Sequence, residues 1–182
     1  MVANTEEKIL DAALKIFSKK GYGGARTRII ARESGFTEMT LFRKFESKEN
    51  LFNQVLIKNQ ERLMRDFDSL VISDENEPPK KRFSSLIMIL MNLMDEHFEY
   101  INLLIYEKDR IPNSITDPFI LSISNYLDKI FPQPKIDHNL LSFMILSSLY
   151  FFIFNKKREN GIFYIENGVE EFIKYHVNCL QL

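Results

Sequence analysis

The stretch from Thr27 to Leu51, TRIIARESGFTEMTLFRKFESKENL, constrains this chain more than any other part of it. Thr27 stands where it would cap a first short helix, with Ile30 and Ala31 facing inward. Gly35 falls at a corner where the chain must reverse within a few residues, and glycine tolerates the positive φ that such a corner needs. Thr37 then caps a second short helix, EMTLFRKF, and Ser47 caps a long helix that starts at Lys48. Two short helices joined by a glycine-containing turn form a helix-turn-helix, whose second helix is shaped to enter a DNA major groove.

The residues before this stretch agree with that reading. Asn4 with Glu7 three places on resembles a capping box, and Ile9, Ala13, Ile16 and Phe17 recur at helical spacing. Lys19 and Lys20 favour the negative end of the helix, and Gly21 predicts its stop. The glycines of GYGGARTR lack a preceding strand and a following Gly-Lys-Ser/Thr, so they are read as a loop and not as a nucleotide cradle. Net charge over the whole chain is −1, which alone argues against a nucleic-acid binder. Its distribution reverses that argument. Residues 1–65 carry 13 Lys and Arg against 8 Asp and Glu, a net of +5, which leaves −6 for the rest. A basic end on an acidic body suits a molecule with one surface turned to phosphate.

The motif residues resemble a known family. Thr27, Ile29, Ile30, Ala31, Gly35, Thr37, Thr40, Leu41, Phe42, Phe45, Ser47, Lys48, Glu49 and Leu51 match the DNA-binding signature of the TetR (tetracycline repressor) regulators. Ile9, Leu10, Ala12, Ala13, Phe17, Gly21 and Tyr22 resemble that family's first helix and its exit. The likeness is close over roughly the first third of the chain; beyond it, only length and helical character agree. Two positions depart from the pattern: Phe42 replaces the usual tyrosine, and Lys44 replaces a histidine or aromatic. On this basis Thr37, Glu38, Met39, Thr40, Arg43 and Lys44 are expected toward DNA. Arg or Lys can pair with guanine edges, Thr can touch a thymine methyl, and Glu can accept from cytosine. Phosphate contacts are expected from Arg26, Thr27, Arg28, Phe42 (by packing or backbone) and Lys48 at its helix N-terminus.

Beyond Lys48 the chain reads as helix after helix, with no strand alternation. Phe52, Leu56, Leu63, Phe67 and Leu70 predict one long helix to about Ile72, followed by an acidic, proline-broken linker from Ser73 to Pro79. Further helices are expected over Lys80–Glu96, His97–Asp109 and Ser114–Phe131, then from Asp137 to about Lys157 and over Glu170–Leu180. Gly161 and Gly168 are taken to bracket a loop. The expected architecture is therefore all-α. A three-helix DNA-binding domain occupies residues 1–47, and residues 48–182 form a ligand-binding and dimerisation domain joined to it through helix 48–72.

The family resemblance implies a small apolar effector in the body, and methionine and aromatic side chains suit an adaptable pocket. Met88, Met91, Met94, Phe98, Tyr106, Phe143, Met144 and Tyr150 are the candidates, with Asn92, His97 and Tyr106 as polar anchors; ordinary core packing is the competing reading for each. The resemblance also implies a homodimer in which the last two helices pair with their mates, on a near-palindromic double-stranded operator. Independently, Leu140–Phe154 is apolar around most of its circumference, as an interface helix would be. At 15 residues that run falls short of a membrane span. The opening MVANTEEKIL lacks a secretory pattern and Cys179 is the only cysteine, so a reducing cytoplasm is expected. The histidines His97, His138 and His176 are scattered, and no metal-ligand spacing or nucleophile elbow occurs, so neither enzymatic activity nor a metal or cofactor is expected. A helical DNA-binding protein without ligand control is the alternative function.

Overall fold

The computed structural model describes residues 5–71, 77–132, 136–158 and 161–180. The elements are α1 (Thr5–Gly24), α2 (Thr27–Ser34), α3 (Glu38–Phe45), α4 (Lys48–Leu70), α5 (Pro79–Glu96), α6 (Phe98–Tyr106), a 3-10 turn (Lys108–Arg110), α7 (Asn113–Ile130), α8 (His138–Lys156) and α9 (Ile165–Leu180). Among the described residues there is no strand. The chain divides into two units, Met1–Leu63 with Glu99–Ile115, and Met64–Phe98 with Thr116–Leu182. The first part of α4 and most of α6 belong with the N-terminal helices.

In the first unit, α1 to α3 close around a small apolar seam. Ile9, Ala13, Phe17, Ile30, Leu41, Phe45, Leu51 and Val55 are essentially without solvent exposure. Phe17 stacks on Tyr22 (centroids 6.1 Å apart) and meets Phe52 edge-on at 5.1 Å. Three corners were expected, and two form as read. Thr37 Oγ1 accepts from the Thr40 amide at 3.2 Å, and Ser47 Oγ accepts from the Asn50 amide at 3.0 Å. Thr27 is different: the residue before α2 is Arg26, and no side chain caps this helix. The Thr27 hydroxyl instead donates to Glu38 Oε1 at 2.5 Å, bracing α2 against α3. Gly35 ends α2 with φ 79°, and the Phe36 amide reaches back to the Ala31 carbonyl at 2.9 Å. Glu46, without glycine's freedom, turns the chain from α3 to α4 at φ 63°. The expected cap at Asn4 lies outside the described residues.

Gly21 does not end α1 but breaks it, at φ 64°, ψ 172°. A Cβ there would lie 2.6 Å from Glu107 Oε1, the end of a flexible side chain that can shift, so it is the positive φ that calls for glycine. The Tyr22 amide donates to that same oxygen at 2.8 Å.

The second unit packs α5, α8 and α9 on one another. Phe83, Leu86, Ile87, Leu90 and Leu93 of α5 are fully buried, as are Ile145 and Leu149 of α8. Asp137 caps α8, accepting from the Leu140 amide at 2.8 Å. Asp95 anchors the far end of α8 through Lys156 Nζ at 2.5 Å and Lys157 Nζ at 2.7 Å, and these lysines hold its carboxyl below the ordinary range. Two expected boundaries move. Gly168 lies inside α9, where a Cβ would sit 2.6 Å from the Phe163 ring, so its role is close packing and not a loop. His97 closes α5, its amide donating to the Leu93 carbonyl, so α6 begins one residue later. Pro118 sits within α7 and cannot bond the Ser114 carbonyl four residues back. Gln60 Nε2 supplies that bond at 3.1 Å.

Phe17→Ala should cost about 3–5 kcal/mol, because it empties a ring-packed site. Gly35→Ala should cost only about 1 kcal/mol: a Cβ there meets nothing within 4 Å, leaving the dihedral alone to resist it. Urea denaturation followed by circular dichroism would measure both. Equal losses for the two would show that packing around Phe17 contributes little.

Candidate nucleic-acid interface

The helix α3 has only eight residues, too few to persist by propensity alone. It is held by Leu41 and Phe45, buried at 0% and 1% exposure. With these two inward, helical geometry turns the intervening positions outward. Met39 is 81% exposed and Phe42 42%. Arg43 and Lys44 are exposed and Thr40 is half-exposed. Thr37 is exposed at the N-terminus, its hydroxyl 3.0 Å from that of Thr40. Glu38 is only half-exposed, and its carboxylate is engaged by Thr27. It therefore serves first as a brace, and reading a cytosine would require it to leave Thr27.

Arg26 and Arg28 stand exposed at the start of α2. Arg28 and Arg32 rim an open cleft of about 480 Å³ floored by Ile29, Ala31 and Phe36, with Glu38 at its side. The expected cations divide into two groups. Arg26, Arg28 and Arg43 make no ion pair with any carboxylate among the described residues. Lys44 lies 4.0 Å from Glu6 of α1, a loose surface pair that is easily exchanged for phosphate.

Lys48 is engaged within the chain. Its ammonium lies 4.4 Å from the centre of the Tyr22 ring, and the Arg110 guanidinium lies 4.5 Å from the same ring. Partial burial, then the nearby Arg110 charge, push the Lys48 pKa below the ordinary lysine value, while Glu107 opposes the shift. Glu107 also pairs with Arg110 at 3.5 Å. Tyr22 is thus the centre of a cluster tying the α1 exit and the α4 start to the segment after α6. Sequence reasoning missed this because Glu107 is 85 residues from its partner Tyr22.

The effector candidates are scattered. Met91 and Met94 are buried at 8% and 4%. Phe98 and Tyr150 are half-buried and stacked, with centroids 6.1 Å apart. His97 is half-buried, its ring 2.9 Å from Asp66. Met88, Asn92, Tyr106, Phe143 and Met144 are exposed in the single chain. Arg82 and Tyr100, which sequence reasoning passed over, are buried with polar atoms that bond no protein group.

Comparison with known proteins settles the type of helix-turn-helix. Residues 9–55 match the model of the bacterial regulatory proteins of the tetR family. Over these residues the chain is similar to the N-terminal domain of that family. A relative in Bacillus subtilis, the uncharacterized HTH-type transcriptional regulator YvkB, is 40% identical over 52 residues. That match takes in 29% of this chain and spans 28% of the relative's length. The fold extends much further. A Clostridium perfringens regulator has a TM-score of 0.76 at 22% identity, covering 96% of this chain and 97% of its own. AibR, solved with isovaleryl coenzyme A and operator DNA, has a TM-score of 0.70 at 17% identity, covering 93% of this chain and 96% of its own. The TetR-type first domain and the helical second domain are therefore both present.

Each cation group makes its own prediction for DNA binding. Arg43→Ala should cost about 1–3 kcal/mol and relax preference at one base position. Arg28→Ala should weaken binding to all sequences alike and lower the salt slope by about 1. Lys48→Met should leave the salt slope unchanged and act on stability. Anisotropy titrations at several salt concentrations separate the three, and a salt slope lowered by Lys48→Met would show that its ammonium reaches phosphate.

Proposed function

We propose that this chain is a ligand-controlled transcriptional repressor that binds a near-palindromic operator as a homodimer. Two copies of α3 would enter successive major grooves about 34–36 Å apart. The observation that carries this reading is the outward face of α3, where Met39, Thr40 and Arg43 are presented beside the unpaired Arg26 and Arg28. Base-edge readers sit on the helix, and the flanking arginines supply phosphate contacts. The family match over residues 9–55 supports the same role.

Support for the dimer comes from α8, which is apolar on two sides. Leu141, Ile145, Leu149 and Ile153 are buried within the chain. Leu140, Phe143, Met144, Phe151 and Phe154 are between 41% and 65% exposed. An apolar strip this long on a soluble protein marks a surface that another molecule covers. The helix is 19 residues, longer than the apolar run within it, and is apolar enough by length and composition to cross a membrane. Its buried stripe, and Ser142 and Asn155 within it, favour a bundle helix in a cytoplasmic protein. The effector would lie in the second unit near Met91, Met94, Phe98 and Tyr150, and lower operator affinity by binding better to the conformation that fits DNA poorly.

An operator drawn from a random-sequence pool should bind about 10³-fold or more tighter than bulk DNA. A protein that retains no sequence in preference to another is not this regulator. Light scattering should give twice the 21.5 kDa chain mass. The pair Phe151→Glu and Phe154→Glu should yield monomers that lose about tenfold or more in operator affinity, since half-sites are then bound singly. A double variant that stays dimeric would remove α8 from the interface.

A further inference from the structure

One charged residue lies within the buried stripe of α5. Arg82 is 7% exposed and sits one turn before Leu86 and two before Leu90, both at 0%. Its Nη1 donates to the Lys129 carbonyl in the last turn of α7 at 3.1 Å. Its guanidinium carbon lies 5.9 Å from the centre of the Tyr126 ring. Nε and Nη2 are buried and donate to no protein group. Neighbouring Lys81 pairs with Glu77 at the surface, while no carboxylate among the described residues pairs with Arg82.

Arginine cannot shed its proton to escape burial. A permanent charge taken out of water is costly unless an anion and hydrogen bonds surround it, and here one carbonyl and one ring face are what the described residues supply. Which atoms are left is informative. Nε–H and the adjacent Nη2–H project from one edge of the guanidinium plane, at the spacing of the two oxygens of a carboxylate or of a phosphate. The Lys129 carbonyl takes the opposite end, so the edge that remains is the one suited to bidentate recognition.

We propose that Arg82 is the anion-binding residue of the effector site, receiving two oxygens of a carboxylate or phosphate on its Nε/Nη2 edge. The apolar body of the effector then runs along α5 past Leu86 and Leu90 toward Met91 and Met94, whose flexible side chains adapt to it. This rests on the reading of the chain as an effector-controlled regulator and narrows the effector to an anionic amphiphile.

The test is calorimetric titration of the full-length protein with dodecanoate, dodecan-1-ol and dodecanoyl coenzyme A, as wild type, Arg82→Met and Arg82→Lys. At least one anionic probe should bind wild type about tenfold or more tighter than the alcohol, as charge-assisted hydrogen bonds require. Preference for dodecanoate identifies a free carboxylate as the ligand group, and preference for the coenzyme A ester alone identifies a phosphate. Arg82→Met should abolish the preference while leaving the alcohol within about threefold, a change too small to reflect a lost bidentate contact. Arg82→Lys keeps the charge without the fork and should lose most of the preference, so the test survives if the methionine variant fails to fold. Anionic probes that bind no tighter than dodecan-1-ol, or equally well to wild type and both variants, overturn the proposal. Selective operator binding by unliganded wild-type protein in that same outcome would confine the failure to this proposal; its absence would instead remove the regulator reading.

Discussion

The structure of the DNA-binding end depends on the burial of two side chains. Leu41 and Phe45 have almost no exposure, and they close on a seam formed by Phe17, Ile30 and Ala31. A helix of eight residues is marginal in water, so α3 is helical because it is packed. The same packing sets its rotation. Once positions 41 and 45 face inward, positions 39, 40 and 43 have no direction left but outward. The outward face proposed to meet DNA is a geometric consequence of the core behind it.

Charge in the first unit is spent in two ways. Residues 1–65 carry an excess of +5, which ion pairs within the segment leave unchanged because each uses one cation and one carboxylate. Lys15 pairs with Glu33, Lys58 with Glu7 and Arg62 with Asp11, each joining two helices of the unit. Lys48 is turned onto Tyr22 and repelled there by Arg110. Arg26, Arg28 and Arg43 are among the cations that pair with no carboxylate of the described residues, and Lys44 is held loosely by Glu6. The Tyr22 cluster also gives the residues after α6 a direct hold on the α1 exit. The Glu107 carboxylate meets the Tyr22 amide next to Gly21, whose φ is positive.

The second unit shows how far periodicity reaches. Apolar spacing marked the buried face of α5, where Phe83, Leu86, Ile87, Leu90, Met91 and Met94 are buried. It could not distinguish which apolar face of α8 is satisfied within the chain, because both satisfy the same pattern. Phe143 and Met144 were therefore grouped with the effector candidates, and they stand on the uncovered side. The run Lys80-Lys81-Arg82 reads as a solvated helix start. Arg82 is nevertheless the residue four places before Leu86, on the buried stripe, and that spacing was the available signal.

The sequence by itself determined the helical class, the helix-turn-helix with its corners at Gly35, Thr37 and Ser47, and the cations near it. These follow from local rules, since caps, turns and a 3.6-residue stripe involve neighbours a few positions apart. Only the tertiary structure decided that Thr27 braces Glu38, that Lys48 faces Tyr22, that Glu107 meets the Tyr22 amide, and that Arg82 is buried with one edge unpaired. Each of those depends on a partner brought close by packing, and no local pattern carries the distance between residues far apart in the chain.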